Sequence, residues 1–359
     1  MIIQHRSFKY VAGSLLALAL MGQGCGGAQK PVTGEDGGVY RSTDKGATWT
    51  QLKALNLGPK QGSIANVGIA TLAIDPQDTK ALYAGTEQNG VIYSLDGGES
   101  WAPAQGLTTG RVSAVAVDPK DKCTIYATRA NQVFKTTNCS RDWNAVYFDP
   151  RNIIFTSLVV DWFNPKVLYA GTSDGDIVKS DNGGGTWRVS QRVDGYRINM
   201  LSIDPKDSRI VFAALDKAGL YKTTDGGAKW TQIKKELKDF DGANRANMVV
   251  IDPSEKNRIY TVSKYGILQS NDGGTTWSAL KLPTPSGTVD MKAFAINPKN
   301  SRELVYATDS AVIWSADGGQ TWTPKKLPTS RGASVVLYDP ASTAEKATVF
   351  LGTLPKKEK

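Results

Sequence analysis

The chain has 359 residues, of which 21% are charged and 40% hydrophobic, a balance typical of folded globular proteins rather than of disordered ones. No apolar run reaches the roughly 20 residues that a membrane-spanning helix needs, and the net charge of +9 favours acidic partners or anionic surfaces. The single histidine, His5, lies in a targeting segment, so the rest of the chain has none for metal binding or general-base chemistry.

The N-terminus carries the signals of export. Cationic residues precede the apolar stretch 11–21, which has the length of a signal-peptide core, and we predict a signal peptide of the lipoprotein type over residues 1–24. Cys25 follows and resembles the acylation site of a bacterial lipoprotein, although Gly22 stands where such sites normally carry Leu. We therefore expect an exported protein, lipid-anchored at Cys25 to a bacterial membrane or cell surface, with residues 25–37 as a short linker. Ordinary secretion is the alternative.

Beyond the linker, an eight-residue string of the form Ser/Thr-x-Asp-x-Gly-x-Thr-Trp, the box, recurs seven times. Successive Trp residues of the box are 42 to 52 residues apart, which is the length of one four-stranded blade of a β-propeller. The copies span residues 42–49, 94–101, 136–143, 180–187, 223–230, 270–277 and 315–322, and the third is degenerate.

Three further segments precede each box after the first. They are rich in Val, Ile and Tyr and bounded by Gly, Pro and Asp, which predicts strands A, B and C, with the box joining C to a strand D. The first box lacks A and B, whereas segment 333–353 supplies an A and a B with no box after them, so together they complete one blade without an open edge. We predict an all-β, seven-bladed β-propeller with four antiparallel strands per blade over residues 38–354, and a basic tail at 355–359.

Two cysteines fall in the third blade, where the box is degenerate. Cys123 opens strand B and Cys139 lies just after strand C, so the hairpin between the strands brings them close together. Because the chain is predicted to reach an oxidising compartment, we expect a disulfide between them. Closing a loop of about 15 residues stabilises a fold by roughly 3 kcal/mol in the loop-entropy description, enough to offset the degenerate box.

The box itself is predicted to be structural, because it recurs in every blade whereas a catalytic group is needed once. Its Asp can accept hydrogen bonds from backbone N–H groups two residues on, its Gly permits positive φ, and its Trp supplies apolar surface between adjacent blades. Calcium binding is the minor alternative, since the boxes lack the ligand spacing of an EF-hand loop. The residues given this structural role are Asp44, Trp49, Asp96, Trp101, Trp143, Trp187, Asp225, Trp230, Asp272, Trp277, Asp317 and Trp322.

These boxes make the chain resemble the Asp-box (BNR) repeat superfamily over its whole predicted mature length. Members include sialidases, xyloglucan-cleaving glycosidases, the sortilin ectodomain and the photosystem II assembly-factor-like propellers, and the compact seven-blade form is most similar to the last group. In that superfamily the boxes lie on the face opposite the ligand site. The resemblance therefore implies that function lies in the D–A and B–C loops, and that the ligand is a protein partner.

Arginines recur in those loops, several of them just before a strand A. Guanidinium groups bind carboxylate, phosphate or sulfate in bidentate fashion, so a ring of them predicts a site for an acidic peptide or, as the other ligand class, an anionic glycan. Solvated surface arginines with ordinary roles are the alternative. The candidate binding residues are Arg111, Arg129, Arg151, Arg192, Arg197, Arg245 and Arg331. Aromatic residues expected on this face are Tyr147, Phe148, Tyr196, Phe240 and Tyr265, whereas Trp162 is expected in the core.

An enzymatic role is predicted to be absent. Glycosidase chemistry needs two carboxylates about 5–9.5 Å apart, and none of the loop candidates belongs to a recognisable motif. We expect no catalytic residue, no metal, no cofactor and no nucleic-acid partner, in a monomer that reaches a membrane only through its anchor. A carbohydrate-binding or glycoside-hydrolase-like propeller is the alternative. The loop carboxylates are Glu87, Asp174, Asp194, Asp239, Asp241 and Asp290.

Overall fold

A computed structural model describes residues 35–343 and 347–355. The predicted signal peptide, the acylation site Cys25 and residues 356–359 of the basic tail lie outside the described residues. Within the described residues, the one helical segment is a single 3₁₀ turn, Lys235–Leu237, and no helix is long and apolar enough to cross a membrane.

The described chain consists of thirty strands, twenty-eight of which form seven four-stranded antiparallel sheets. The predicted seven-bladed β-propeller is therefore confirmed. In chain order the strands are β1 (Val39–Ser42), β2 (Thr50–Leu52), β3 (Ala54–Leu57), β4 (Lys60–Ser63), β5 (Ile69–Ile74), β6 (Leu82–Thr86), β7 (Val91–Ser94), β8 (Ala102–Pro103), β9 (Val112–Val117), β10 (Ile125–Arg129), β11 (Gln132–Thr136), β12 (Asn144–Phe148), β13 (Phe155–Val160), β14 (Leu168–Thr172), β15 (Asp176–Ser180), β16 (Arg188–Arg192), β17 (Ile198–Asp204), β18 (Asp207–Leu215), β19 (Gly219–Thr223), β20 (Thr231–Ile233), β21 (Ala246–Ile251), β22 (Ile259–Ser263), β23 (Ile267–Ser270), β24 (Ser278–Ala279), β25 (Ala293–Asn297), β26 (Asn300–Ala307), β27 (Ala311–Ser315), β28 (Thr323–Lys326), β29 (Ala333–Tyr338) and β30 (Val349–Thr353).

Blade 1 joins the two ends of the propeller, as the sequence predicts. Its sheet order is β2-β1-β30-β29, with Tyr40 of β1 opposite Leu351 of β30. A buried ion pair reinforces this closure, because the Arg331 guanidinium donates to Asp36 across 295 positions of sequence at 3.1 Å. Burial alone would raise the pKa of Asp36, but hydrogen bonds from Ser330 and Arg331 lower it to about 2.

The other six blades follow in sequence: blade 2 (β5–β8), blade 3 (β9–β12), blade 4 (β13–β16), blade 5 (β17–β20), blade 6 (β21–β24) and blade 7 (β25–β28). Their first strands line the centre, where β29, β5, β9, β13, β17 and β21 pack successively and β25 packs against β29. The core of the described chain divides into seven apolar clusters, each shared by two adjacent blades. Stability therefore resides mainly between blades.

The box hydrogen-bonds are clearest in blade 2. Ser94 Oγ donates to Asp96 Oδ1 (2.7 Å) and accepts from Gly98 N (2.8 Å), while both Asp96 oxygens accept from Ser100, through its N–H (2.9 Å) and its hydroxyl (2.6 Å). The Asp thus binds the N–H four residues on, not two as the turn chemistry predicts, because the Ser occupies the nearer donors. The box is a closed local network that fixes the path from strand C to strand D.

The same turn holds adjacent blades together. Gly98 has φ of +92°, and a Cβ placed there would lie 2.5 Å from Cδ1 of the buried Leu52 in blade 1. Trp101 is fully buried and its indole N–H donates to the Leu52 carbonyl at 3.1 Å. The corresponding glycine also faces the preceding blade in five other boxes: Gly46 on Trp314, Gly184 on Tyr126, Gly227 on Ser190, Gly274 on Ile233 and Gly319 on Leu280.

The degenerate box in blade 3 keeps the turn with different residues. Asn138 replaces the Asp and accepts from Asp142 N at 3.0 Å. Cys139 and Ser140 occupy the glycine positions with φ of 58° and 67°, in the left-handed region that non-glycine residues rarely adopt. The predicted disulfide between Cys123 and Cys139 is present and ties this turn to the start of β10.

One element escapes the repeat pattern. The hairpin β3–β4 fills the longest interval between boxes and attaches to the next blade, since Trp101 N donates to the Ala54 carbonyl (2.8 Å) and Asn56 N to the Trp101 carbonyl (2.7 Å). Repeat lengths of 42 to 52 residues leave almost no room for insertions, but the upper end of that range accommodates a two-stranded one.

Substitution of the box glycines separates backbone strain from blade contact. We expect Gly98→Ala to lower the free energy of unfolding by about 3 kcal/mol, because it adds a clash with Leu52 to the cost of a left-handed alanine. Gly97→Ala is the matched control, since φ there is +77° but the nearest atom lies 4.0 Å away, and it should cost about 1 kcal/mol. Chemical denaturation measures both, and equal losses would contradict the role given to blade contact.

Candidate ligand-binding face

The two faces of the propeller carry different chemistry. The boxes and the A–B turns share one face, as the bond from Gly97 N to the Lys80 carbonyl illustrates (2.8 Å). The opposite face, here the top face, is formed by the D–A loops and the B–C turns, at the N-terminal ends of the inner strands. The box residues repeat because every blade needs the same contact with its neighbour. The top-face loops have no such repeated contact, and their side chains differ from blade to blade.

Four cations occupy one equivalent position of the top face, the residue immediately before an inner strand. Arg111 precedes β9, Arg197 precedes β17, Arg245 precedes β21 and Lys292 precedes β25. We call these four residues the cation ring. The equivalent position before β13 holds Ile154, an apolar side chain that is 45% exposed. The sequence pattern of an Arg seven residues before the Asp of the Asp-Pro pair identifies the three arginines but does not include Lys292, which stands five residues before Asn297 because β25 is shorter.

Two of the four cations of the ring have no ion-pair partner within the described residues. Arg111 pairs with Glu87 at 2.5 Å, and Lys292 pairs with Asp290, which raises the pKa of Lys292. Arg197 makes no ion pair with any residue in the described parts of the chain, nor does Arg245. Two further carboxylates lie nearby without ion-pair contact: Asp309 near Lys292 and Asp216 near Arg245.

The Arg197 side chain is solvent-exposed, and the nearby charge of Arg111 acts on it. Partial desolvation by surrounding protein atoms lowers the pKa of its guanidinium, and the charge of Arg111 lowers it further. Because both effects disfavour the charged form, an anion placed between these residues would relieve the cost of holding them together. The ring is therefore suited to bind carboxylate, phosphate or sulfate.

Two other arginines predicted as binding residues donate hydrogen bonds to a buried carboxylate of the fold instead. Arg151 donates to Asp149 (2.8 Å) and Asp176 (2.6 Å), and Arg192 donates to Asp176 (2.7 Å). The bonds to Asp149 and Asp176 raise the pKa of Arg151. Burial alone would raise the pKa of Asp176, yet the bonds from Arg192 and Arg151 lower it. This cluster links the D–A loop of blade 3 to β15 and β16 of blade 4.

The remaining two arginines are also engaged within the fold. Arg129 stacks over the Phe134 ring at 4.6 Å and donates to the Thr109 carbonyl at 3.2 Å. Arg331 is buried, with its guanidinium bonded to Asp36 and Asn66. Of the seven arginines, three therefore lie in the cation ring and four have intramolecular partners that account for their positions.

Two cavities open on the top face, where the D–A loops are long. The first, of about 520 Å³, is the Tyr196 pocket; the second, of about 360 Å³, is the Arg245 pocket. Loop 234–245 lines both, and loop 280–292 adds the far wall of the second. The Tyr196 pocket is lined chiefly by Tyr196, Lys217, Tyr221, Lys234, Lys238 and Phe240, and the Arg245 pocket by Asp216, Arg245, Asn247, Lys264, Val289 and Asp290.

The loop carboxylates fall in separate places. Asp174 and Asp194 join the cluster around Asp176, at 3.4 Å from Arg151 and 3.8 Å from Arg192, whereas Asp241 and Asp290 line different pockets. Asp290 shares the Arg245 pocket with Asp216, which the sequence analysis did not single out. No group of three or more His, Cys, Asp or Glu side chains able to hold a metal ion occurs among the described residues.

The aromatic residues also depart in part from expectation. Tyr196 and Phe240 line the Tyr196 pocket, and Tyr265 packs edge-on against Phe240 at 5.2 Å. The prediction that Trp162 is a core residue is wrong. It is 41% exposed, in an A–B turn at the edge of a cavity of about 310 Å³ between the inner strands.

A closed ring of seven Asp-box blades with a cationic top face defines the class of this protein. The chain belongs to the family described as photosynthesis system II assembly factor YCF48, whose model matches residues 20–214. A second model, the DUF6242 beta propeller domain, matches residues 198–359. The resemblance to assembly-factor-like propellers that the boxes suggested is confirmed.

Similar proteins include xyloglucanases and a YCF48 propeller. A xyloglucanase of Hypocrea jecorina is 27% identical over 253 residues, which cover 55% of this chain and 29% of that protein. The chain thus spans less than a third of that relative.

Among solved structures, the GH74 xyloglucanase from Xanthomonas campestris has a TM-score of 0.66 at 15% identity, covering 80% of this chain and 51% of that chain. The structure of YCF48 bound to D1 peptide has a TM-score of 0.62 at 15% identity, covering 82% and 94%. These structural likenesses show the fold.

Two matched substitutions distinguish a structural arginine from a ring arginine. Arg151→Gln should lower the free energy of unfolding by about 2 kcal/mol, because Asp176, only 2% exposed, loses a charged donor. Arg197→Gln should change it by less than about 0.5 kcal/mol or increase it, since no ion pair is lost and a like-charge contact is removed. Denaturant titration of both variants measures the difference; a larger loss for Arg197→Gln would refute the assignment.

Proposed function

We propose that this protein is a non-enzymatic binding protein whose top face holds an acidic segment of a protein partner, in the manner of an assembly or scaffold factor. The observation that carries the proposal is the cation ring, in which Arg197 and Arg245 have no carboxylate partner in the described chain. Guanidinium groups form bidentate, charge-assisted hydrogen bonds with carboxylates. An extended acidic segment can cross the ring and reach several cations at once.

A structural relative supports a peptide ligand. The match to the solved YCF48 propeller that carries a D1 peptide covers 94% of that chain. The unpaired cations of the top face complement an acidic peptide.

The place of action follows from the N-terminal sequence. We propose export followed by lipid anchoring at Cys25, supported by the apolar stretch 11–21 and the cysteine directly after the predicted cleavage site. The disulfide between Cys123 and Cys139 supports an oxidising compartment. An anchored protein of this kind would meet its partner at a membrane surface.

Peptide titration tests the proposed function. A fluorescent dodecapeptide with a central run of Asp and Glu should bind the wild-type protein, and its Asn/Gln analogue should not. The double variant Arg197→Gln, Arg245→Gln should weaken binding about tenfold or more, because two charge-assisted contacts are lost. Fluorescence anisotropy at low and high salt measures the affinity, which should fall as salt rises.

The control is a double variant of equal charge on the opposite face, Arg209→Gln, Arg302→Gln. Both arginines begin second strands next to the A–B turns, and their side chains are exposed. This control should leave the affinity unchanged. Equal weakening by the two double variants would show attraction to net charge alone and would refute a site on the top face.

A polysaccharide-directed role is the second candidate, favoured by one feature of the top face. The Arg245 pocket contains two carboxylates, Asp216 and Asp290, and xyloglucanases are among the relatives. However, Asp290 is already paired with Lys292. We expect no release of reducing ends from xyloglucan by the wild-type protein or by Asp290→Asn. Hydrolysis by the wild type that Asp290→Asn abolishes would establish an enzyme instead.

A further inference from the structure

The Tyr196 pocket has a mainly polar lining, but its floor is formed by apolar residues that the cation ring does not explain. Its floor consists of Ala218, Ile233 and Leu237, all buried, and aromatic side chains stand around it. Tyr221 is half-buried; burial raises the pKa of its hydroxyl, and the neighbouring Tyr196 raises it further. At about 520 Å³ the pocket falls within the range of about 300–1,000 Å³ that is typical of ligand sites.

The walls of the pocket are held in place by backbone hydrogen bonds. Gly219 N donates to the Asn244 carbonyl at 2.8 Å, which ties the B–C turn of blade 5 to loop 234–245. Within the loop, Phe240 N donates to the Leu237 carbonyl (3.2 Å) and Ala243 N to the Phe240 carbonyl (2.9 Å). A pocket formed in advance in this way binds a side chain without the entropic cost of ordering a loop.

The rim of the pocket is cationic. Lys217, Lys234 and Lys238 line it together with a single carboxylate, Asp241. Lys217 lies at the tip of the B–C turn, with φ of 66°. A neutral sugar would leave this excess charge unmatched, whereas an apolar side chain flanked by carboxylates would satisfy both the floor and the rim.

The pocket adjoins the cation ring through consecutive residues. Tyr196 lines the pocket and Arg197 is the next residue, so their Cα atoms are about 3.8 Å apart. We propose that the Tyr196 pocket binds a bulky apolar side chain, aromatic in preference, that lies next to the acidic residues held by the cation ring. This inference rests on the proposed function and defines the partner further: an acidic segment with an adjacent aromatic residue.

A pair of peptides tests the pocket separately from the ring. The first carries a run of Asp and Glu followed by Phe, and the second carries Ala in place of Phe. We expect the Phe peptide to bind wild-type protein at least about tenfold more tightly, because its phenyl group is removed from water on the apolar floor of the pocket. Tyr196→Ala should abolish this preference, since it removes one wall of the pocket, whereas Arg197→Gln should weaken both peptides and keep their ratio.

The matched control is Phe163→Ala, which removes an aromatic side chain that is 56% exposed in an A–B turn on the opposite face. It should preserve the preference for Phe, and circular dichroism should show all variants folded. Equal affinities of the two peptides for the wild type would overturn the pocket proposal while leaving the proposed function intact. Absence of binding by both would remove the proposed function, and the pocket proposal with it.

Discussion

The structure depends on the contact between the fifth residue of the box, a glycine in six of the seven copies, and the blade before it. The Ser and Asp of the box complete their hydrogen bonds within eight residues, which fixes the turn in the left-handed conformation that only glycine adopts at low cost. Because the glycine has no side chain, the backbone of the turn lies directly against the neighbouring sheet, as Gly98 lies against Leu52. Every apolar cluster is shared by two blades, so the distance between blades that this contact allows also determines how tightly the core packs.

Because of this contact, the two faces of the propeller have different roles: the box face holds blades together, and the top face carries the candidate binding residues. Residues on the box face are repeated because every blade needs the same turn, whereas the top-face loops are free to differ. The loops that follow blades 5 and 6 are the long ones without strands of their own, and both top-face pockets lie there. In the proposed function, the cationic position shared by four blades supplies attraction and the Tyr196 pocket supplies selectivity, which an even surface of solvated arginines would lack.

Much of the fold could be predicted from the sequence because the box is a local network with its own composition. Side-chain roles on the top face could not, because they depend on contacts across blades. Arg151 and Arg197 occupy similar loops, yet only the first meets a buried carboxylate, Asp176, which comes from another blade. Trp162 is expected in the core because it is a large apolar side chain, but it lies in a turn beyond the inner strands and is partly exposed. The hairpin β3–β4 carries no box and so gave no repeat signal.

The shared blade 1 has a consequence for how the chain acquires its fold. Strand β1 lies at the start of the ring and its partner β30 at the end, so neither edge is covered until both have been synthesised and brought together. A chain that crosses a membrane in an extended state would keep β1 exposed throughout transit, and Asp36 would meet Arg331 only after the 295 positions between them had been delivered. Proteolytic loss of β30 would open the whole ring rather than trim one edge.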